Sequence, residues 1–197
     1  MFTGIVEEIG TVAGVDHGPG RSRLEIACRR VLDDLAIGGS IAVNGVCLTA
    51  VAVGPDRFAA DAVPETLRCT NLGELTPGST VNLERPLAAA GRFEGHVVQG
   101  HVDAVGEVLA VEGEGDGARL RIALPAPLSA YVVQKGSITV DGVSLTVAAA
   151  GDGWFEIAVI PHTLRATVLG DAEPGRRVNL EADVLAKYVE RMLSETR

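Results

Sequence analysis

The stretches GSIAVNGVCLTA (residues 39–50) and GSITVDGVSLTV (residues 136–147) are identical at eight of twelve positions, and the rest of the chain repeats with them. At the same offset of 97, PETLRCTNLGELTPGSTVNLE from Pro64 overlays PHTLRATVLGDAEPGRRVNLE from Pro161, with thirteen of 21 residues identical. Upstream, GIVEEIGTV from Gly4 overlays GHVDAVGEV from Gly100 at an offset of 96. One residue therefore entered between the two registers, within CRRVLDDLAIGG against LPAPLSAYVVQKG. A match kept in order from end to end is a duplication. The period far exceeds the roughly 20–50 residues of stacking repeats, so the chain divides into two compact copies of one unit.

Each copy reads mostly as strand. TGIVEEIGTVAGV and SRLEIACR are β-rich runs around the Gly-rich connection DHGPGR, and the second copy puts EGEGDGA at the same place. A short helical patch follows (RVLDDLA; PLSAYV), then the opening hairpin, a strand (RFAADAV; WFEIAVI), a helical turn at Pro-x-Thr-Leu-Arg and a last strand (STVNLE; RRVNLE). Six short strands with closely spaced turn signals predict a small closed barrel, which leaves no exposed edge. The fold class is all-β: two tandem six-stranded barrels plus a C-terminal α-helix. Residues 1–97 form the first barrel with its linker RPLAAAGRFEGHVVQ, residues 98–183 the second, and residues 184–197 the helix. Asp183 can cap that helix, and Leu185, Tyr188 or Val189, and Met192 fall on one stripe. So short a helix is marginal alone and packs on something, such as its counterpart in another subunit.

Asn44-Gly45 and Asp141-Gly142 are the dipeptides that best support a two-residue type I′ turn. With that turn, Val43 faces Val46, Ala42 faces Cys47, Ile41 faces Leu48 and Ser40 faces Thr49. Ile41, Val43, Val46 and Leu48 then form a core face, while Ser40, Ala42, Cys47 and Thr49 form a small, mostly polar one. In the second copy the polar face is Ser137, Thr139, Ser144 and Thr146. Exchange of Asn44 for Asp141 reads as a turn synonym. Short hydroxyls and a thiol can simply face water, but both copies avoid the Lys and Glu usual on an exposed sheet face. Such a face suits a planar polar ligand.

Composition narrows the functions. The chain is 47% hydrophobic, which favours folding over disorder. A net charge of −9 and only seven aromatic residues argue against nucleic acid as a partner. Cys28, Cys47 and Cys69 form no C-x-x-C pair, and His17, His96, His101 and His162 have no metal-ligand spacing. No metal site is expected. The start, MFTGIVEEIG, lacks the basic region of a signal peptide, and no apolar run reaches the length of a membrane span. The expectation is a cytoplasmic protein with no membrane partner.

MFTGIVEEIG, NGVCLTA, PETLR, GHVVQGHVD, KGSITVDGVSLTV and IPHTLR resemble the riboflavin synthase family, of the kind built from two lumazine-binding repeats. The resemblance covers essentially the whole chain. It implies two Greek-key barrels per subunit, a homotrimer held by C-terminal helices, and no cofactor. The implied reaction is a dismutation of two 6,7-dimethyl-8-ribityllumazine molecules, one giving a four-carbon unit to the other, to yield riboflavin and 5-amino-6-ribitylaminouracil. Lumazine and riboflavin are the implied small-molecule partners, and lumazine synthase is a candidate protein partner. Two identical ligands that must meet explain two similar pockets, and their different fates explain why the pockets differ.

The resemblance assigns ligand contact in the first copy to Gly4, Ile5 and Val6, to Ser40, and to Cys47, Leu48 and Thr49. It continues through Asp61, Ala62, Val63, Pro64, Glu65 and Thr66, and through Gly100, His101 and Val102. In the second copy it assigns Lys135, then Ser144, Leu145 and Thr146, then Ala158, Val159, Ile160, Pro161, His162 and Thr163. Catalytic roles are implied for Phe2, Ser40, Cys47, His101, Ser144 and Thr146. Phe2 is expected to pack across the pocket of a neighbouring barrel. The free N–H groups of the Pro-x-Thr-Leu-Arg turn suit ring carbonyls, alongside plain local capping by Thr66 and Thr163.

His101 overlays Ile5, and Cys47 overlays Ser144, so the two pockets differ in an imidazole and a thiol. Lys135, one of two lysines, either supplies charge to a ring oxygen or caps a strand. The alternative function is a non-catalytic lumazine- or flavin-binding protein of the same fold. Intact His96, His101 and Ser144-Leu145-Thr146 favour the enzyme, and the lack of a G-x-G-x-x-G half excludes a nicotinamide-dependent reductase.

Overall fold

The computed structural model of the chain describes residues 1–18 and 20–194. Pro19, in the first Gly-rich connection, and residues 195–197, at the end of the expected C-terminal helix, lie outside the described residues. The first barrel contains β1 (Glu8–Gly18), β2 (Arg21–Ala27), β3 (Ser40–Val43), β4 (Val46–Val53), β5 (Arg57–Ala62) and β6 (Thr80–Glu84). It closes in the order β1-β2-β5-β4-β3-β6. The second contains β7 (Ala104–Glu114), β8 (Gly117–Ala123), β9 (Ser137–Val140), β10 (Val143–Gly151), β11 (Trp154–Val159) and β12 (Arg177–Ala182), closed in the equivalent order. Both are Greek-key barrels with all neighbouring strands antiparallel.

The alternation of the strands fills each interior. Leu24, Ile26, Ile41, Val43, Phe58 and Leu83 are buried in the first barrel; Leu120, Ile122, Ile138, Val140, Phe155 and Leu180 occupy the second. The opening hairpins pair in the register the turns dictate: Val43 with Val46, Ala42 with Cys47, Ile41 with Leu48 and Ser40 with Thr49. Ser144 pairs with Thr139 and Thr146 with Ser137 in the second. Asn44 and Gly45 have φ of 45° and 75°, and Asp141 and Gly142 have 46° and 78°, as a type I′ turn requires.

Three local expectations change. Residues 3–7 are not strand: the chain turns at Gly4 (φ 77°) and joins the sheet only at Glu8. The helical patch is a 3₁₀ turn, Arg30–Asp33 in one copy and Ala126–Leu128 in the other. The Pro-x-Thr-Leu-Arg segments are helices, α1 (Pro64–Cys69) and α2 (Pro161–Ala166), each with proline at its first position. Thr66 and Thr163 do not cap them; their carbonyls accept from Thr70 and Thr167 Oγ1 at 2.6 and 2.7 Å. Thr70 and Thr167 instead cap following 3₁₀ turns, accepting from the N–H of Leu72 and Leu169.

A pseudo-twofold seam joins the barrels. Phe2 and Val98, equivalent at an offset of 96, form an antiparallel bridge with N–H to O distances of 2.7 and 3.2 Å. The two hairpin turns meet so closely that a Cβ on Gly45 would lie 2.6 Å from Gly142 N. Around them Asn82 Nδ2 donates to Asp141 O (2.9 Å) and Asn179 Nδ2 to Asn44 O (2.8 Å). Asn44 and Asp141 are therefore more than turn synonyms. Asn71 donates to the Asp141 carboxylate, whereas Val168, at the position equivalent to Asn71, has no side-chain amide to donate. Helix α3 (Val184–Ser194) is capped by Asp183, whose Oδ1 accepts from Leu185 N at 3.0 Å.

Candidate functional site

The first residues of each repeat cross to the other barrel. Ser144 N donates to Gly4 O (2.8 Å), and Cys47 N donates to Gly100 O (2.9 Å). Val6 packs on the second core and Val102 on the first. Glycine is required at both crossings: φ is 77° and 78°, and a Cβ would lie 2.7 Å from Ser144 Cβ or 2.6 Å from Cys47 Cβ.

This exchange sorts the expected contacts into two equivalent surfaces. On the first barrel, residues 47–49 of β4 and residues 61–66 at the end of β5 and start of α1 combine with residues 100–102. Ser40 joins them, paired with Thr49 on β3. On the second, residues 144–146 of β10 and residues 158–163 combine with residues 4–6. Lys135 belongs beside these, its N–H bonding Val147 O at 2.8 Å next to Thr146. Thr49, Thr146, His101 and His162 are exposed. Val63 and Ile160, at matching positions, are 55% and 63% exposed, so each surface offers an apolar side chain as well as hydroxyls.

The centres of the two surfaces differ. Ser144 Oγ lies 2.7 Å from His96 Nδ1, and the ring is buried with its Nε2 unpartnered. Desolvation holds the His96 pKa below the usual 6.5, so the imidazole is neutral near pH 7. Cys47 has no such partner; it packs beside Ala42, Val98 and the fully buried Phe2 ring. Phe2 thus lies in the seam of one chain, behind Cys47. His96 lies outside the stretches that overlay, so the duplication gives no signal for it.

Some expected contacts are engaged elsewhere. Asp61 pairs with Arg23 and Arg21 at 2.8 and 2.6 Å, and hydrogen bonding from Arg23 holds its carboxyl below the usual range. Glu65 pairs with Arg68 at 2.6 Å. Lys135 sits at φ 69°, where its counterpart is Gly38 at φ 86°. Among the described residues, no group of three His, Cys, Asp or Glu side chains could hold a metal ion, and no helix is long and apolar enough to cross a membrane.

The lumazine binding domain family matches twice, at residues 3–86 and 99–183. Riboflavin synthase of Mycobacterium tuberculosis (strain H37Rv) is 55% identical over 98% of this chain and 98% of its own length. The chain belongs to the riboflavin synthase family. Riboflavin synthase of Bacillus subtilis (strain 168) is 43% identical over 98% of this chain and 90% of that protein. The structure of LumP complexed with riboflavin superposes with a TM-score of 0.86 at 27% identity, covering 92% of this chain and 99% of that one. LumP complexed with 6,7-dimethyl-8-(1'-D-ribityl) lumazine superposes at 0.84. In this riboflavin synthase family member His96 lies between the two matched segments, outside both repeats.

Proposed function

We propose that the two surfaces each hold one 6,7-dimethyl-8-ribityllumazine and that the chain performs the riboflavin synthase dismutation, giving riboflavin and 5-amino-6-ribitylaminouracil. One observation carries this reading: two equivalent surfaces, each built by both repeats, differ at the Cys47 and Ser144–His96 positions. Identical ligands with unequal fates need that combination. A merely light-absorbing protein of the same fold needs one site and no neutral imidazole on a serine.

The chemistry asked of the chain is modest. The C7 methyl of lumazine is acidic because its carbanion delocalises into the ring. Holding two rings together replaces a bimolecular encounter, worth up to about 7–11 kcal/mol in ideal cases. The Ser144–His96 pair takes the methyl proton through Oγ to the imidazole, and proton transfer of this kind contributes about 10²–10⁴-fold. His101, Cys47, Thr146 and Ser40 line the ligand faces, Lys135 meets a ring oxygen, and Phe2 backs Cys47. No cofactor is invoked.

Helix α3 carries the homotrimer contact. Lys187 pairs with Asp103 at 2.6 Å and Tyr131 Oη donates to Glu190, which turns Leu185, Tyr188 and Val189 outward, at 62%, 64% and 56% exposure. The expected compartment is the cytoplasm, and lumazine synthase is the candidate protein partner.

The test is incubation of the purified protein with the lumazine alone, following riboflavin absorbance and fluorescence. Turnover without an added cofactor is expected. Tight binding without turnover would replace the enzyme with the light-absorbing binding protein.

A further inference from the structure

Two buried carboxylates outside both ligand surfaces hold the crossing segments. Glu181, on β12 of the second barrel, accepts from the N–H groups of Gln99 (2.8 Å), Gly100 (3.0 Å) and His101 (3.1 Å). Its equivalent Glu84, at the end of β6, accepts from Thr3 N (2.8 Å), Thr3 Oγ1 (3.2 Å) and Gly4 N (3.1 and 3.2 Å to its two oxygens). They are 2% and 6% exposed, and neither forms a salt bridge among the described residues. A carboxylate buried without a cation is expensive, and a cluster of backbone N–H groups is what makes it tolerable.

The two clusters match in reach but not in what they hold. Glu84 grips the backbone of Thr3, Gly4 and Ile5, as Glu181 holds that of Gln99, Gly100 and His101, and only in the second does the last residue carry an imidazole. Gly100 in turn accepts from Cys47 N at 2.9 Å. A continuous chain of bonds thus runs from β12 of one barrel, through His101 and Gly100, to the Cys47 strand of the other. With its own N–H and that of Gly100 held, the backbone from which the His101 side chain departs is anchored by Glu181.

We infer that Glu181 is a positioning residue for the reaction: its carboxylate fixes the backbone of Gly100 and His101 so that the imidazole addresses the ligand on the first barrel beside Cys47. This rests on the proposed function, and turnover by the parent protein tests that reading separately.

The experiment is a double-mutant cycle of Glu181→Gln with His101→Gln, read as kcat and KM for lumazine. Glu181→Gln should lower kcat about tenfold to a hundredfold, as for a reacting group misplaced by about an ångström, with KM changed less than about threefold. In the His101→Gln background the same change should cost no more than about twofold, since effects of residues acting as a unit do not add. A parallel cycle of Glu84→Gln with His101→Gln should give independent factors. If Glu181→Gln does not fold, Glu181→Asp takes its place in the cycle. An equal loss with and without the histidine, or a loss confined to KM, overturns the inference while leaving parent turnover intact.

Discussion

The side-chain amide of Asn71 donates to Asp141 Oδ1 at 2.8 Å, across the boundary between the two repeats. Asn179 N reaches the same oxygen at 2.8 Å, while Asp141 Oδ2 is buried with no partner. Burial drives this carboxyl up to about 6 from 3.8. Because the folded chain keeps its proton to higher pH than the unfolded chain, it binds more protons between about pH 4 and pH 6. Stability from this group therefore falls as pH rises through that window and then levels.

Asp141→Asn removes the titration. A rise from 3.8 to about 6 corresponds to about 3 kcal/mol, offset by about 1–3 kcal/mol for a buried amide N–H group without an acceptor. The variant is expected to gain on its parent by about 2–3 kcal/mol between pH 4 and pH 7. Denaturant midpoints at several pH values check this, and a difference independent of pH would mean that Asp141 ionises freely in the fold.

The turns themselves are tightly opposed. Gly45→Ala places a Cβ 2.6 Å from Gly142 N in a residue with φ 75°. Gly78→Ala, at φ 94° with nothing within 4 Å, suffers only the backbone penalty. Strain costs about 1–2 kcal/mol in both, and overpacking adds about 1–3 kcal/mol at Gly45 alone. Equal losses in urea unfolding would show that the barrels can part at the seam without cost.

These relationships mark where sequence reasoning stops. Every pair of the first hairpin, from Val43–Val46 to Ser40–Thr49, follows from Asn44-Gly45, because a two-residue turn leaves no freedom of register. Barrel closure follows from six short strands. The crossing of residues 4–6 and 100–102 does not, since it depends on one backbone bond each, to Ser144 and Cys47, and on carboxylates distant in sequence. His96 is legible only through the resemblance, and its bond to Ser144 is not legible at all, because it has no counterpart within the repeat. The seam left one readable trace: Asn44 becomes Asp141 where Asn71 becomes Val168, a paired change that accompanies the contact.

Lys135 is expected to trade stability for affinity. Releasing it from φ 69° by Lys135→Gly relieves about 1–2 kcal/mol, less about 0.4–1 kcal/mol of unfolded-chain entropy. The variant should unfold at slightly higher denaturant yet bind lumazine about three- to tenfold more weakly, from the lost charged contact. Fluorescence titration checks the second part. Unchanged affinity would leave Lys135 as a strand-end residue only.

Outward-facing Leu185 and Val189 give the oligomer its test. Leu185→Asp with Val189→Asp places like charges in a desolvated contact, which costs several kcal/mol per site when unpaired. Light scattering should show trimer for the parent and monomer for the variant, with circular dichroism unchanged. A parent that scatters as a monomer would free α3 from that role.

The last expectation concerns the pair that sets the two surfaces apart. Ser144 Oγ and His96 Nδ1, 2.7 Å apart, form a relay only if each depends on the other. Ser144→Ala and His96→Gln should each lower kcat by about 10²–10⁴-fold, and the double variant should be hardly worse than either. Since desolvation lowers the His96 pKa, its neutral form persists below pH 6.5. The acid limb of the parent profile should therefore fall below that value and vanish in His96→Gln. Cys47→Ser, which makes the hairpins more alike without supplying a histidine, should not restore turnover to Ser144→Ala. Independent losses for the serine and the imidazole would make His96 a buried structural histidine and place proton removal elsewhere.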